Sequence, residues 1–176
     1  MQVKLPNINL NLSDLNPVIS EKSFQKHLQI CKGYVENFNS GKGDIPFNKA
    51  GAHLHKLYFE NIRAFNPDNV PTFGKVSHII ELKYGTWNNF AQTYLDTVDK
   101  LQGSGWVFMN TSGYLNIIPN NRIVSNIAFV VDFWEHAYYP DYGANRVQYA
   151  KDTLNIINWN IVSQRILDSK NKKNEE

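Results

Sequence analysis

The sequence predicts an α+β fold, with helices first along the chain and strands after them. Two stretches within residues 21–65 place apolar side chains three or four positions apart, which is the spacing of one helix face. Three short apolar runs between residues 106 and 131 have the length of strands, and Thr111-Ser112-Gly113 forms a turn between the first two. With 176 residues, the chain is long enough for one domain with a sizeable core.

The first predicted helix covers residues 21–38, with Ser20 as its N-cap. Its apolar face consists of Phe24, Leu28, Cys31, Val35 and Phe38. A run of Gly, Asn and Pro over residues 39–46 ends this helix, and a second helix is predicted from about residue 48 to residue 65. Because a short loop joins the two helices, they are expected to form an antiparallel hairpin.

The second half of the chain contains the predicted strands. Residues 73–101 predict two helices separated at Gly85-Thr86-Trp87, with Thr86 as a cap. The last strand is a continuous apolar run that ends in Asp132, which is typical of a buried strand. A final helix is predicted over residues 145–168, followed by a charged tail from Lys170. The three strands are predicted at residues 106–109, 114–118 and 127–131.

Charge and composition exclude several classes of protein. A formal net charge of +2 is too small to indicate nucleic-acid binding, and no apolar segment is long enough for a membrane-spanning helix. The N-terminus lacks the basic and apolar regions of a signal peptide. Cys31 is the only cysteine, which excludes internal disulfides and fits a reducing compartment. A soluble, cytoplasmic protein is therefore predicted.

One nine-residue string carries the predicted chemistry: Val131-Asp132-Phe133-Trp134-Glu135-His136-Ala137-Tyr138-Tyr139. Asp132 and His136 are suitable ligands for a first-row transition metal, and aromatic neighbours shield such a site from water. A bare Asp and His four residues apart are usually a surface coincidence. The whole string, however, closely resembles the D-x-W-E-H-A-Y-Y signature of the iron/manganese superoxide dismutases, which supplies two of that family's four protein ligands.

The resemblance covers roughly residues 5–168, with gaps, and its strongest parts are residues 103–106, 132–142 and 157–159. It implies an N-terminal antiparallel helical hairpin packed on a C-terminal α/β unit with a three-stranded antiparallel sheet. The expected domains are residues 1–68, an arm followed by the hairpin, and residues 69–176, the α/β unit with the charged tail. The metal would lie between these two parts.

The other two ligands implied by the resemblance are histidines of the hairpin. The spacing from Phe47-Asn48 to His55 is similar to the family's F-N…H-x-x-F/Y-W segment, and His27 follows an Ile-Ser pair at the family's distance. A lone histidine in a helix is usually structural or exposed, and His53 and His78 are interpreted in that way. The predicted ligands of one iron or manganese ion per subunit are His27, His55, Asp132 and His136.

Helix geometry favours His27 over its neighbour as a ligand. The family separates its ligand His from a Tyr by eight positions, whereas His27 and Tyr34 are seven positions apart. Seven steps give about 700°, roughly 20° short of two turns, so a regular helix holds both residues on one face. An ungapped alignment from Tyr34 would place Lys26 at the ligand position, but a protonated lysine cannot bind a metal. Cys31 stands where the family has a second His.

The resemblance also implies three catalytic residues around the metal: Tyr34, Asn121 and Trp134. The family places a Gln beside the metal-bound solvent, either four residues before the second His or on the second sheet hairpin. Here the first position is Gly51, and the second, in Pro119-Asn120-Asn121, carries the shorter Asn121. Because these features are mixed, the sequence leaves the choice between iron and manganese open.

The resemblance implies that the protein converts superoxide to dioxygen and hydrogen peroxide. It also implies a homodimer in which Glu135 bridges to His136 of the partner subunit and Tyr139 approaches the partner's first helix; a monomer with a solvated Glu135 is the alternative. Two other functions stay open. One is a metal-binding relative of the dismutases with little or no activity, and the other is a mononuclear iron oxygenase that uses two His and one carboxylate.

Overall fold

A hairpin of two helices lies in the first part of the chain. The computed structural model describes residues 2–174. The hairpin helices are α1 (Glu21–Ser40) and α2 (Ile45–Glu60). The Phe24 ring near the start of α1 packs on the Phe59 ring near the end of α2, with the ring centroids 5.1 Å apart. The two helices are therefore antiparallel, as predicted.

Both helices begin at side-chain caps. The Ser20 hydroxyl accepts a hydrogen bond from the Ser23 N–H, which confirms the predicted cap of α1. The prediction for α2 was wrong at both ends, since the helix runs from residue 45 to residue 60 rather than from 48 to 65. Asp44 caps it, and Pro46 lies in its first turn, where a proline costs no helical hydrogen bond.

The second part of the chain contains the predicted sheet. Its strands are antiparallel, and β1 lies in the centre of the order β2-β1-β3. The Thr86 hydroxyl accepts a hydrogen bond from the Asn89 N–H and caps the second helix of this part, as predicted. The elements are α3 (Gly74–Tyr84), α4 (Trp87–Asp99), β1 (Gly105–Asn110), β2 (Leu115–Pro119), β3 (Ile127–Asp132), α5 (Glu135–Tyr142), α6 (Arg146–Thr153) and α7 (Trp159–Asn174).

Two features of this part differ from the prediction. Helix α5 was not predicted, because its short aromatic stretch contains Pro140 and lacks a helical apolar period. The single helix predicted over residues 145–168 is instead α6 and α7, which are separated by a 3-10 turn at Leu154–Ile156. α7 continues into the predicted tail as far as residue 174, and the end of that tail, residues 175 and 176, lies outside the described residues.

Asn61, the residue after α2, joins the hairpin to the sheet. Its fully buried side chain accepts a hydrogen bond from the Val130 N–H at 3.0 Å and donates one to the Val130 carbonyl at 3.3 Å. β3 is an edge strand, so these bonds pair backbone groups that no further strand reaches. The Arg165 guanidinium of α7 donates to the carbonyls of Leu57 and Ala128 beside them. The end of α2 is thus fixed against β3.

Buried apolar residues from both parts of the chain form one continuous core. The division into domains at residue 68 stays a prediction. No helix within residues 2–174 is both long enough and apolar enough to cross a membrane.

Candidate metal centre

The four predicted metal ligands converge between the hairpin and the sheet. Asp132 is the last residue of β3 and His136 lies in the first turn of α5, while α1 and α2 each provide one histidine. One ligand atom from each residue lies within 4.8 Å of the other three. Asp132 Oδ2 lies 3.1, 3.5 and 3.2 Å from the Nε2 atoms of His27, His55 and His136, respectively. This arrangement could hold a metal ion.

Backbone groups orient two of these side chains. The Nδ1–H of His55 donates a hydrogen bond to the Gly51 carbonyl at 2.7 Å. Because a carbonyl can only accept, the proton of the neutral imidazole lies on Nδ1 and the lone pair on Nε2. That Nε2 atom is buried and has no hydrogen-bond partner among the described residues. The backbone N–H of Trp134 donates to Asp132 Oδ1 at 2.8 Å, which leaves Oδ2 facing the imidazoles.

Burial sets the charges at this centre. It lowers the pKa of His55 to about 3, with a further decrease from the neighbouring His27, and it also lowers the pKa of His27. Burial by itself raises the pKa of the Asp132 carboxyl, but hydrogen bonds from His136 and His27 outweigh it and bring the pKa below its usual value. At neutral pH the centre therefore holds an ionised carboxylate and at least two neutral imidazoles, which are the forms that bind metals.

Aromatic rings enclose the four ligands. Each of the following has its ring centroid 4.9–6.1 Å from that of a ligand imidazole: Tyr34, Tyr58, Phe59, Trp106 and Trp134. Trp134 stacks on His136, and its indole Nε1 is buried without a hydrogen-bond partner among the described residues. Tyr34 and His27 both face His55, so α1 places them on one side, as the seven-residue spacing predicts.

Behind His55 lies a tightly packed group of Gly51, Tyr34 and Asn121. Asn121 is 6% exposed, and its Oδ1 accepts a hydrogen bond from the Trp106 indole N–H at 3.1 Å. The other end of this amide, Nδ2, has no hydrogen-bond partner within residues 2–174. A Cβ atom at position 51 would lie 2.7 Å from the Tyr34 ring and 2.9 Å from Asn121 Nδ2. Glycine at this position therefore leaves the space that both side chains occupy.

Comparison with known proteins agrees with this geometry. The profile of the C-terminal domain of iron/manganese superoxide dismutases matches residues 72–165, which is more than half of the chain. A superoxide dismutase [Fe] of Bacteroides fragilis is 32% identical over 198 aligned positions, which cover 94% of this chain and all of that protein. The chain belongs to the iron/manganese superoxide dismutase family.

Other relatives in the iron/manganese superoxide dismutase family are named for one metal or for the other. A superoxide dismutase [Fe] of Sulfolobus acidocaldarius is 29% identical and covers 96% of this chain and 95% of its own length. A superoxide dismutase [Mn] of Chlamydia muridarum is 28% identical and covers 94% of this chain and 96% of its own length. Sequence similarity at this level does not distinguish the two metals.

The structure also shows the surroundings of the other candidate residues of this superoxide dismutase family member. Lys26 is exposed on α1, so the alternative alignment that makes it a ligand is wrong. Cys31 is fully buried, His53 is half-buried and His78 is exposed. Glu135 is exposed and accepts a hydrogen bond from the Ser104 hydroxyl at 2.8 Å.

Sequence reasoning missed two residues that shape the centre of this family member. The sequence predicts only that Trp106 begins a strand, although this residue lies in residues 103–106, one of the strongest parts of the family resemblance. Gly51 was noted only because it lacks the family's Gln. Its place four residues before His55 indicates a close helix contact, but only the coordinates show that Tyr34 and Asn121 fill the space.

Proposed function

We propose that this chain is a superoxide dismutase with one iron or manganese ion per subunit, held by His27, His55, Asp132 and His136. The observation that carries the proposal is the buried His55 Nε2, an imidazole nitrogen that has no hydrogen-bond partner within residues 2–174 and that faces an ionised carboxylate and two further imidazoles. An unpaired buried polar atom is costly in a folded protein, and a metal ion would satisfy it.

The distances from the carboxylate to the imidazoles fit such an ion. At 3.1–3.5 Å from each of the three Nε2 atoms, Asp132 Oδ2 is close enough to share an ion with each nitrogen at ligand distances of about 2.1 Å. Three nitrogens and one carboxylate oxygen are a donor set that suits iron or manganese. The residues present therefore fit the group that the family resemblance implies.

When bound, the ion would take one electron from a first superoxide, releasing dioxygen, and give it to a second superoxide, which becomes hydrogen peroxide with two protons. The protein groups around the centre supply the surroundings of this reaction. Burial raises the pKa of the Tyr34 phenol, so the hydroxyl keeps its proton at neutral pH and can donate a hydrogen bond. Asn121 Nδ2 is a second donor on the same side, and the Trp134 ring stacks on one face of His136.

A homodimer through Glu135, His136 and Tyr139 is part of the proposal. None of the described residues forms a hydrogen bond with His136 Nδ1, and a metal-binding imidazole usually donates its second N–H to an acceptor. Glu135 is exposed, and the Ser104 hydroxyl lowers the pKa of its carboxyl, so it is available as an anion. Tyr139 is 60% exposed beside it. In a two-fold dimer, Glu135 of one subunit would accept from His136 of the partner subunit.

Metal analysis combined with a superoxide-consumption assay tests the proposed function. We expect about one iron or manganese ion per chain in the wild type and consumption of superoxide. His55→Ala should lose both, because it removes a ligand. His53→Ala, on the same helix but outside the centre, is the matched control and should retain both. Bound metal without superoxide consumption would support the inactive metal-binding alternative, and a wild type without metal would contradict the assignment of the ligands.

Sedimentation analysis tests the dimer. The wild type should sediment as a dimer at micromolar concentration, and Glu135→Ala should shift it towards the monomer. Glu81→Ala, which changes an exposed acid on α3, should leave the dimer intact. A wild type that stays monomeric would rule out the shared interface.

A further inference from the structure

A chain of buried tyrosines leads away from the candidate metal centre. The Tyr58 ring lies against His27 with centroids 5.2 Å apart. Its hydroxyl is 3.1 Å from the hydroxyl of Tyr149, and both residues are almost fully buried. The Tyr149 ring in turn packs on Tyr142 with centroids 5.4 Å apart. Each step is within the normal contact distance of aromatic rings or of hydrogen-bonded hydroxyls. We call Tyr58, Tyr149 and Tyr142 the tyrosine chain.

The outer end of the tyrosine chain has a base for its proton. The Tyr142 hydroxyl is partly buried and donates towards Asp152 Oδ2 at 3.1 Å and the Val18 carbonyl at 2.9 Å. Gln148 donates to the other oxygen of Asp152 and holds the carboxylate in place. A phenol gives up an electron far more readily when a neighbouring group takes its proton. The tyrosine nearest the surface is therefore the one best suited to hold a radical.

Packing alone does not explain this arrangement. Phenylalanine would fill the same core positions without adding buried hydroxyl groups, and each buried hydroxyl needs a hydrogen-bond partner. In the tyrosine chain these partners are another tyrosine and, at the outer end, a carboxylate and the Val18 carbonyl. Tyr94 provides a contrast, since it is equally buried, but among the described residues its hydroxyl forms a hydrogen bond only with Thr153, and its ring packs on Phe129 and Phe133.

We propose that the tyrosine chain carries oxidising equivalents from the metal centre to Tyr142 and so protects the ligand histidines. This role depends on the proposed function for its oxidant. With iron at the centre, hydrogen peroxide that takes one electron from the ferrous ion would split into hydroxide and a hydroxyl radical, a strong one-electron oxidant next to His27.

The electrons and protons of the relay balance. Tyr58 gives one electron to the hydroxyl radical, which becomes hydroxide, and Tyr149 then gives one electron to Tyr58. A proton that shifts along the hydrogen bond between their hydroxyls during the first step returns in the second. Tyr142 finally gives one electron to Tyr149, and its O–H bond breaks as the proton passes to the Asp152 carboxylate. The net products are hydroxide, a Tyr142 phenoxyl radical and a protonated Asp152.

Exposure of the iron-loaded protein to hydrogen peroxide tests the relay. Samples frozen rapidly after mixing are examined by electron paramagnetic resonance for a tyrosyl radical, and peptide mass spectrometry locates the oxidised residues. We expect a tyrosyl radical in the wild type and its loss in Tyr142→Phe. Tyr149→Phe, which removes the middle of the chain, should also lose it and should show more oxidation of His27 and His55. Tyr94→Phe, which removes an equally buried hydroxyl outside the chain, should behave as the wild type.

Metal content and dismutase activity, measured on the same samples, separate the two proposals. A wild type that binds metal and consumes superoxide but forms no radical at Tyr142 would overturn the relay alone. The same would follow if Tyr149→Phe formed the radical as fully as the wild type, or if Tyr94→Phe lost it equally. A wild type that binds no redox metal would overturn both proposals.

Discussion

Gly51→Ala gives a direct test of how the candidate centre is packed. A Cβ atom at position 51 would meet the Tyr34 ring at 2.7 and 2.8 Å and Asn121 Nδ2 at 2.9 Å, whereas ordinary contact begins at 3.4 Å. The Tyr34 ring would have to move by about 0.7 Å to restore normal contact. Gly33→Ala is the matched control, because Gly33 is also helical and a Cβ atom there meets nothing within 4 Å.

The two variants should differ in stability. Replacing a helical glycine by alanine stabilises a protein by roughly 0.5–1 kcal/mol. Gly33→Ala should show this gain alone, which for a chain of this size raises Tm by about 1–4 °C. In Gly51→Ala the overpacking costs about 1–3 kcal/mol and exceeds the helical gain. The net loss of about 1 kcal/mol should lower Tm by roughly 2–4 °C.

The Gly51→Ala and Gly33→Ala variants should also differ in dismutase activity. Displacement of catalytic groups by about 1 Å can cost up to ~100-fold in rate, so Gly51→Ala should lose roughly 10-fold or more of the dismutase activity while retaining its metal. Gly33→Ala should keep both. The assays are thermal unfolding and superoxide consumption on samples with matched metal content. If Gly51→Ala gained stability as Gly33→Ala does and kept full activity, the crowding of Tyr34 and Asn121 would be refuted.

Three further outcomes are expected. Removal of the metal by a chelator should lower Tm, because an ion present at 100 times its Kd stabilises the folded state by about 2.7 kcal/mol; an unchanged Tm on calorimetry would mean that no ion is bound at the centre. Burial raises the pKa of the Cys31 thiol to about 12, so it stays protonated at pH 8 and should react with Ellman's reagent only after denaturation; rapid labelling of the native protein would contradict its buried position. Asn61→Ala leaves the Val130 N–H and carbonyl without their partners and should destabilise the protein by about 2–4 kcal/mol in urea unfolding. Surface substitutions scatter by roughly 0.5 kcal/mol, so a loss smaller than this would show that these hydrogen bonds contribute little to stability.

The helices with a clear apolar period and the three strands could be predicted from the sequence because each follows a simple local rule. α1 has one apolar face, and β3 is a continuous apolar run. α5 could not be predicted, since it is held by contacts made far along the chain. The Ser20 N–H at the start of α1 donates to Asp141, and the Tyr142 hydroxyl donates to the Val18 carbonyl. No local pattern within α5 records these contacts.

The residues of the candidate centre differ in how well the sequence alone could predict them. Asp132 and His136 belong to one string, so their resemblance to the family is plain. The choice of His27 over Lys26 needed helix geometry, because the spacing to Tyr34 departs from the family by one residue. The free lone pair on His55 Nε2 depends on the hydrogen bond from Nδ1 to a backbone carbonyl, and the sequence contains no sign of this bond.

The distance along the chain between the proposed ligands determines when the complete centre can exist. His27 and Asp132 are separated by 105 residues. During synthesis Asp132 follows His55 by almost 80 residues, which takes roughly 4–16 s at a rate of ~5–20 residues per second. A newly made hairpin therefore offers only two of the four ligands, too few to retain an ion with the affinity of the full set. On the proposed ligand assignment, all four ligands can hold one ion only after β3 and α5 have closed onto the hairpin, which places complete coordination at a late stage of folding.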